Sequence, residues 1–331
     1  MEQSLKTKVD EMLDLYFTIE KDFRWENNLS LHFAALTYTQ KHIKYEKNKI
    51  KNTSDYIKKQ TRLFSSFRSN MFMISMLLCS EFDDPESQFL KLLTYEKWFK
   101  EAGFKNSEYM PITCYALLLT CEESMMQERI RKSLEIFKEM KKNNPWITSG
   151  DDYPLCVMLA NSESSVETSM QNIVEIYRAL NEHGFRKGNG LQLLSHILSF
   201  SDENIQIKSE KCKSIFNQLK KNKLKIDSQY YAALGLITLL DDDQHEVVTN
   251  LIEVANYLKG LKKYKWLGRG MNVLLASVIV SKQYIDNKTE QNKLIDTTLS
   301  VSIEALIAAQ TAASVSAIVA TSVAASTINS Q

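Results

Sequence analysis

Glycine and proline are scarce in this sequence, whose 331 residues include only 9 glycines and 4 prolines. A fold with many tight turns between strands needs more of both, so the composition argues against an all-β protein. Glycine-rich phosphate loops are also missing, and no GxxxxGKS/T, GxGxxG, GxSxG or HExxH motif occurs. The sequence therefore gives no sign of a nucleotide-binding, hydrolase or zinc-protease site, and we predict no cofactor.

An excess of charge of either sign is also absent. Lysine and arginine number 41 and aspartate and glutamate 40, which disfavours nucleic acid or an anionic membrane as the main partner. The 5 cysteines form no CxxC pair and mostly lie in apolar runs, so we expect buried thiols rather than disulfides or zinc ligands. The N-terminal stretch 1–14 is charged throughout and does not read as a secretory signal, which predicts a cytoplasmic protein.

What the sequence does contain is a repeat of about forty residues. The segment 95–104 recurs as 176–185, and weaker copies lie between and after these two segments. Spacings of 41, 40, 39 and 39 residues connect the apolar anchors Phe99, Met140, Leu180, Leu219 and Leu258. The same spacings, started at Leu117, reach the apolar residues Met158, Leu198, Ile237 and Ala276. The register therefore persists outside the segment that defines the repeat.

Each repeat is interpreted as a helix, a short turn and a second helix. The first helix is amphipathic, whereas the second is apolar on most faces and is expected to be buried. Gly103 and Gly184 stand where first helices should end, and Pro111 and Pro154 where second helices should begin.

These patterns predict an all-α protein built as a solenoid-like array of αα-hairpin repeats. Residues 1–80 would form an N-terminal helical cap, 81–282 five hairpin repeats, and 283–331 an alanine- and serine-rich C-terminal helix or tail. Within the cap we expect helices near 5–22, 29–46 and 54–80, the last broken around Leu63. Terminal repeats of such arrays are atypical because they cover the open ends of the core.

Charged residues are sorted between the two kinds of turn. Turns that lead into first helices are acidic, as in Asp83–Asp84 and Asp202–Glu203, and turns that leave them are basic, as in Lys141–Lys142 and Lys220–Lys221. Helix dipoles account for this local preference. If the repeats stack in parallel, the same pattern predicts one acidic and one basic edge.

Residues with the chemistry of a site are few. The candidate binding residues, near the starts of second helices or beside an apolar run, are Arg68, Tyr109, Tyr230, Tyr231 and Asn272. The best metal candidate is the oxygen- and imidazole-bearing set Asp241, Asp243 and His245, although a helix N-cap explains these residues without an ion.

Two further segments have both a structural and a functional interpretation. His196 lies in an apolar helix and is interpreted as a satisfied core histidine rather than a base. Between 259 and 269, lysines and an arginine alternate with Tyr264 and Trp266, a mixture that could stack on single-stranded RNA. The alternative, which we favour, is that both aromatic rings cover the end of the last repeat.

Several short motifs together resemble those of a known family. They are Phe23-Arg24-Trp25, Phe67-Arg68-Ser69-Asn70, Asp84-Pro85-Glu86 and the run from Gly103 to Pro111. In these the chain resembles, over nearly its whole length, the bacterial family of domain of unknown function 4003, found mainly in Gram-positive bacteria. The family has no established activity, so the resemblance implies a cytoplasmic bacterial protein and transfers no catalytic or ligand-binding residue.

The predicted function is that of a non-catalytic interaction scaffold that binds a protein or peptide on its helical repeat surface. One alternative is an enzyme whose pocket is enclosed by an α/α toroid, which would bring together acidic or histidine side chains with shifted pKa values. A second alternative is membrane association through residues 305–331, which carry no charge. That segment is poor in large apolar residues, so a helix packed on the last repeats is preferred.

Overall fold

The computed structural model describes residues 2–240, 242–265 and 267–286. Over these residues all regular elements are helices and no strand occurs, which confirms the predicted all-α fold. The α-helices are α1 (Gln3–Asp22), α2 (Asn28–Gln40), α3 (Lys47–Gln60), α4 (Ser66–Ser69), α5 (Met71–Glu81), α6 (Pro85–Ala102), α7 (Met110–Thr120), α8 (Met126–Asn143), α9 (Tyr153–Leu159), α10 (Val166–Glu182), α11 (Asn189–Leu198), α12 (Ile205–Lys221), α13 (Ala232–Thr238), α14 (Gln244–Gly260), α15 (Lys262–Lys265) and α16 (Arg269–Asp286). Short 3₁₀ helices lie at Glu123–Met125, Gly150–Asp152 and Ser228–Tyr230.

Long amphipathic helices alternate with short apolar ones from α6 to α13. In α10 the buried residues are Met170, Ile173, Ile176 and Leu180, at the three- and four-residue steps of a single helix face. By contrast, every residue of α9 and of α13 is buried. A helix that is apolar on all sides must be enclosed by its neighbours, so these short helices lie in the core.

Left-handed glycines end two of the long helices. Gly103 has a φ of +114°, and its N–H donates to the carbonyls of Phe99 and Lys100 at the end of α6. Phe104, which follows, is buried with its ring edge-to-face on Phe99, the centroids 5.0 Å apart. Gly184, with a φ of +87°, has the same role after α10. The predicted glycine caps are therefore confirmed.

In the N-terminal region two helix boundaries were predicted wrongly. The second helix ends at Gln40 rather than near 46, because His42 adopts a left-handed backbone conformation with a φ of +52°. The third begins at Lys47 rather than near 54. The break expected around Leu63 is present, since residues 61–65 separate α3 from α4.

Four of the long helices pack on a helix that follows them in the chain. The contacting pairs include α6 with α7, α10 with α11, α12 with α13, and α14 with α16. Short helices also contact one another: α7 packs on α9, and α13 packs on both α11 and α16. The five anchors of the sequence repeat share one position, because each is the fifteenth residue of its long helix and is no more than 1% exposed. They are Phe99 in α6, Met140 in α8, Leu180 in α10, Leu219 in α12 and Leu258 in α14.

The described residues form two compact units. The C-terminal unit contains residues 2–10, 139–148 and 162–286, and the N-terminal unit contains 11–138 and 149–161. These units group residues by packing and not by sequence repeat, so the predicted division of the chain at 80 and 282 stays a prediction.

Each unit contains a cluster of three aromatic rings that joins two consecutive helix pairs. In the N-terminal unit the cluster is Phe104, Phe137 and Tyr153, with Tyr153 edge-to-face on Phe104 at 4.9 Å. In the C-terminal unit it is Phe185, Phe216 and Tyr231, with Tyr231 edge-to-face on Phe185 at 5.2 Å. The same packing solution is thus used in both units.

Candidate functional site

A cavity of about 230 Å³ opens on the C-terminal unit. It lies between the C-terminal end of α8 and the helices α10 and α11. Its lining residues are Met140, Asn143, Asn144, Met170, Ile173, Val174, Tyr177, Gln192 and His196. A space of this size accommodates a single side chain or a small molecule, so it is a candidate binding site.

One face of α10 forms the longest wall of the cavity. Met170, Ile173, Val174 and Tyr177 follow one another at helical spacing and therefore project on the same side. Met170 and Ile173 are buried, whereas the side chain of Val174 is 48% exposed and marks the rim. The wall is apolar in its depth and open to solvent at its edge.

Two polar residues of α11 supply the buried side of the cavity. Gln192 and His196 are four residues apart, so they share a helix face, and both are almost completely buried. Nδ1 of His196 has no hydrogen-bond partner among the described residues. Burial lowers the pKa of His196 to about 3, so the imidazole is neutral at physiological pH. It can accept or donate one hydrogen bond to a bound group without carrying charge.

The third side of the cavity is the end of α8, which the following loop holds in place. Nζ of Lys141 donates to the carbonyls of Pro145 and Thr148, both at 2.6 Å. The hydroxyl of Thr148 donates in turn to the carbonyl of Met140 at 3.2 Å. These contacts hold the end of α8, where Asn143 and Asn144 line the cavity.

On the opposite rim, the ring of Tyr177 is fixed through its hydroxyl. The N–H of Gly188, just before α11, donates to that oxygen at 3.2 Å. The contact ties α10 to the beginning of α11 and thereby sets the width of the cavity between them. The site is therefore formed before any ligand arrives, which reduces the entropic cost of binding.

The chemistry of the lining favours binding over catalysis. None of the nine lining residues carries a charge at neutral pH, and no carboxylate is among them. A histidine with a pKa of about 3 is poorly matched to proton transfer near pH 7. Apolar walls with amide and imidazole groups instead suit an uncharged, partly apolar group that forms one or two hydrogen bonds.

The sequence matches the profile of the family described as "Protein of unknown function (DUF4003)" over residues 15–312. The chain belongs to this family. The resemblance drawn from the short motifs is thereby confirmed. The chain is also similar to "Uncharacterized protein YeaA" of Bacillus subtilis (strain 168), with 24% identity over 314 residues and 93% of each chain covered. That relative is consistent with a Gram-positive origin, and no solved structure matches the chain.

None of the five predicted binding residues of this DUF4003 chain lines the cavity. Two of them lie in the N-terminal unit. Arg68 is half-buried, and its Nη1 donates to the carbonyl of Thr61 at 3.4 Å. Tyr109 is half-buried just before α7, with its N–H donating to Oγ of Ser107 at 3.2 Å. Both have structural contacts, and their role in binding stays a prediction.

The other three lie in the C-terminal unit. Tyr231 is buried within the aromatic cluster, and the ring of Tyr230 lies directly against Gly270. Asn272 is 1% exposed, and its Nδ2 donates to the carbonyl of Tyr264 at 3.1 Å. Because these side chains pack inside the unit, they contribute to the junction between helix pairs; a binding role for them is untested.

The metal candidate is only partly within the described residues, since Asp241 lies outside them. Oδ1 of Asp243 accepts the N–H of His245 at 2.8 Å, as the N-cap of α14. In the described part of the chain no three histidine, cysteine or acidic side chains converge as metal ligands would. The structure thus gives Asp243 a capping role, and the metal site stays a prediction.

Sequence reasoning was right about the burial of His196 but wrong about its satisfaction, since Nδ1 has no partner among the described residues. The cavity itself was missed. Its one signal in the sequence is the polar pair Gln192 and His196, four residues apart on a helix that is mostly apolar. The alternative of RNA binding is weakened, because Tyr264, one of its two aromatic residues, is fully buried and cannot stack on a base. Trp266 and the segment 305–331 lie outside the described residues.

Proposed function

We propose that this protein is a non-catalytic, cytoplasmic interaction scaffold that binds a protein or peptide on a surface of helical repeats. The observation that supports this best is the open cavity of the C-terminal unit, with its uncharged lining and the half-exposed Val174 on its rim. It would receive one uncharged side chain of the partner, and the rim would contact the flanking residues. Such an anchor in a pre-formed pocket is how a few residues supply most of the affinity in many interfaces.

The proposal includes the solenoid-like array of hairpins. Two observations support it: the five anchors have the same position in their long helices, and the short helices pack on one another within each unit. Stacked hairpins leave an extended surface on which several side chains can contact one partner.

The enzyme alternative finds less support in the described residues. A toroidal enzyme should present converging acidic or histidine groups with pKa values near the working pH. In the cavity the only titratable groups are a neutral histidine and a tyrosine. The segment 305–331, on which the membrane alternative rests, lies outside the described residues. Among the residues that the structure describes, no helix is both long and apolar enough to cross a bilayer.

Photo-crosslinking tests the proposal at the rim of the cavity. Val174 would be replaced by p-benzoylphenylalanine in the full chain. The variant protein would be irradiated in native lysate, and its adducts would be identified by mass spectrometry. Ile207 is the matched control, because it is an aliphatic residue of the same unit with 50% exposure against the 48% of Val174. We expect one dominant adduct from position 174. The same adduct should be at least about tenfold weaker when the crosslinker is at position 207.

A second substitution ties the adduct to the cavity. Ile173→Trp places an indole in the cavity, and we expect it to abolish an adduct formed from position 174. Equal adducts from both positions, or an adduct that persists with Ile173→Trp in a folded protein, would contradict the proposed anchor.

A further inference from the structure

The turn between α3 and α4 exposes two large apolar residues side by side. The N–H of Ser65 donates to the carbonyl of Arg62 at 3.0 Å, which makes residues 62–65 a β-turn with Leu63 and Phe64 at its two corners. Their exposed fractions are 67% and 95%. Turn corners normally hold glycine, proline, asparagine, aspartate or serine. Leucine and phenylalanine there leave apolar surface in water with no local structural reason.

Contacts with α4 and with the end of α3 hold the turn in place. Nη1 of Arg68 donates to the carbonyl of Thr61 at 3.4 Å, and Oγ of Ser65 accepts the N–H of Phe67. Phe67 is completely buried, and its ring lies edge-to-face on Phe89 with centroids 5.4 Å apart. The two corner residues therefore project from a turn that is hydrogen-bonded and packed on its α4 side.

Positive charge surrounds the projection. Lys58, Lys59 and Arg62 are exposed, and none of the three forms an ion pair with any residue that the structure describes. The nearest acidic residue in the sequence is Asp55, one helical turn before Lys58 and Lys59 on α3, and no aspartate or glutamate occurs from 56 to 80. An acidic residue, Glu108, comes to the far end of α4, where its carbonyl accepts Nδ2 of Asn70. On the turn side of α4, the local charge is positive.

We propose that this turn docks the N-terminal unit on an anionic membrane surface, with Leu63 and Phe64 entering the interfacial region and the neighbouring cations contacting lipid phosphates. A bilayer fits these features because it accepts projecting apolar side chains without a pre-formed pocket, and anionic headgroups complement the lysines and arginine. This inference is independent of the proposed peptide site, which lies in the other unit. It also differs from membrane association through the uncharged segment 305–331.

Vesicle sedimentation with the purified full chain tests the turn. We expect binding to phosphatidylcholine vesicles that contain about one-third phosphatidylglycerol, and at least about tenfold weaker binding to phosphatidylcholine alone. Phe64→Ser should weaken binding to the anionic vesicles by about tenfold or more, because an inserted phenylalanine ring is lost. Lys58→Gln should weaken it by about fivefold.

Trp146→Ser is the matched control, because Trp146 is an aromatic residue with 96% exposure in a different loop. It should change binding by less than about twofold. Circular dichroism should report unchanged helicity for both serine variants, since both residues are exposed. Absence of binding to anionic vesicles would overturn the proposal. So would undiminished binding of Phe64→Ser, which would place the contact elsewhere, or equal losses in Phe64→Ser and Trp146→Ser.

Discussion

At the scale of single residues, His196 both lines the cavity and affects the free energy of unfolding. It is enclosed by apolar neighbours on α11, and its neutral form is the one the folded protein accommodates. The proposed peptide anchor would use Nδ1, the atom that has no partner in the described structure.

The neutral His196 predicts a pH-dependent stability. Its pKa is about 3 in the folded chain and about 6.5 in the unfolded chain, so between these values the unfolded chain binds a proton that the folded chain does not. Stability therefore rises with pH through this window and is lost as the pH falls. From about pH 7.5 to about pH 4.5, His196 should remove roughly 2–3 kcal/mol from the free energy of unfolding.

Urea unfolding at the two pH values measures this effect. His196→Gln should lose less stability on acidification than the wild type, by the same 2–3 kcal/mol or so. His245→Gln, which removes an exposed histidine of the same unit, is the control variant for the substitution itself. If His196→Gln and the wild type lose equal stability, His196 takes up a proton in the folded state and the neutral site is wrong.

At the scale of helices, close junctions rely on glycine at two helix starts. A Cβ added to Gly190, the second residue of α11, would lie 1.9 Å from the carbonyl oxygen of Ser228. A Cβ on Gly270, the second residue of α16, would meet the ring of Tyr230 at 2.0 Å. In both places the 3₁₀ helix before α13 packs directly on backbone, so it approaches α11 and α16 more closely than a side chain at either glycine would allow.

Gly190→Ala should therefore destabilise the protein, because the new methyl group meets backbone that cannot rotate away. We expect a loss of about 1–3 kcal/mol in the free energy of unfolding, measured by urea denaturation. Gly260→Ala is the control, since nothing lies within 4 Å of its added Cβ at the end of α14. That variant should be unchanged or more stable by up to about 1 kcal/mol. Equal midpoints for the two variants would mean that α11 and the 3₁₀ helix are not in contact.

The sequence predicts elements of this protein better than it predicts the site. The spacing of 39–41 residues placed the five anchors at equivalent buried positions, because each repeat has an apolar residue at the same point of its long helix. Glycine caps were predictable from their local backbone chemistry. The end of α2 was not, since it depends on a left-handed His42 that no local rule requires. The cavity was not either, because it depends on how three helices from separate parts of the chain meet.

At the scale of the whole molecule, similar features recur about eighty residues apart. Arg129 and Lys208, each the fourth residue of its helix, donate to the final carbonyl of the preceding short helix, at Thr120 and Leu198. The two aromatic clusters share the same spacing. The 3₁₀ helices before α9 and α13 do so as well. These correspondences favour a repeating unit of two hairpins in the proposed array, which explains why the sequence matches best at an offset of 81.

The beginning of the chain belongs to the same compact unit as its last described helices. Leu5 and Val9 are completely buried, and the hydroxyl of Tyr257 in α14 donates to Oδ1 of Asp10 at 2.5 Å. Residues 2–10 and 162–286 share this unit although most of the chain separates them. The C-terminal unit should therefore need the N-terminal turns of α1 in order to be fully stable.

Leu5→Ala tests this dependence. Truncating a completely buried leucine should lower the free energy of unfolding by about 2–4 kcal/mol in urea. It should also speed amide hydrogen exchange in α14 and α16, because these helices lie in the unit that loses the contact. Phe17→Ser, on the same helix but 44% exposed and in the N-terminal unit, should leave exchange in α14 and α16 unchanged. Unaltered exchange there with Leu5→Ala would mean that α1 contributes to the fold only through its own neighbours in sequence, and that the C-terminal unit is complete without it.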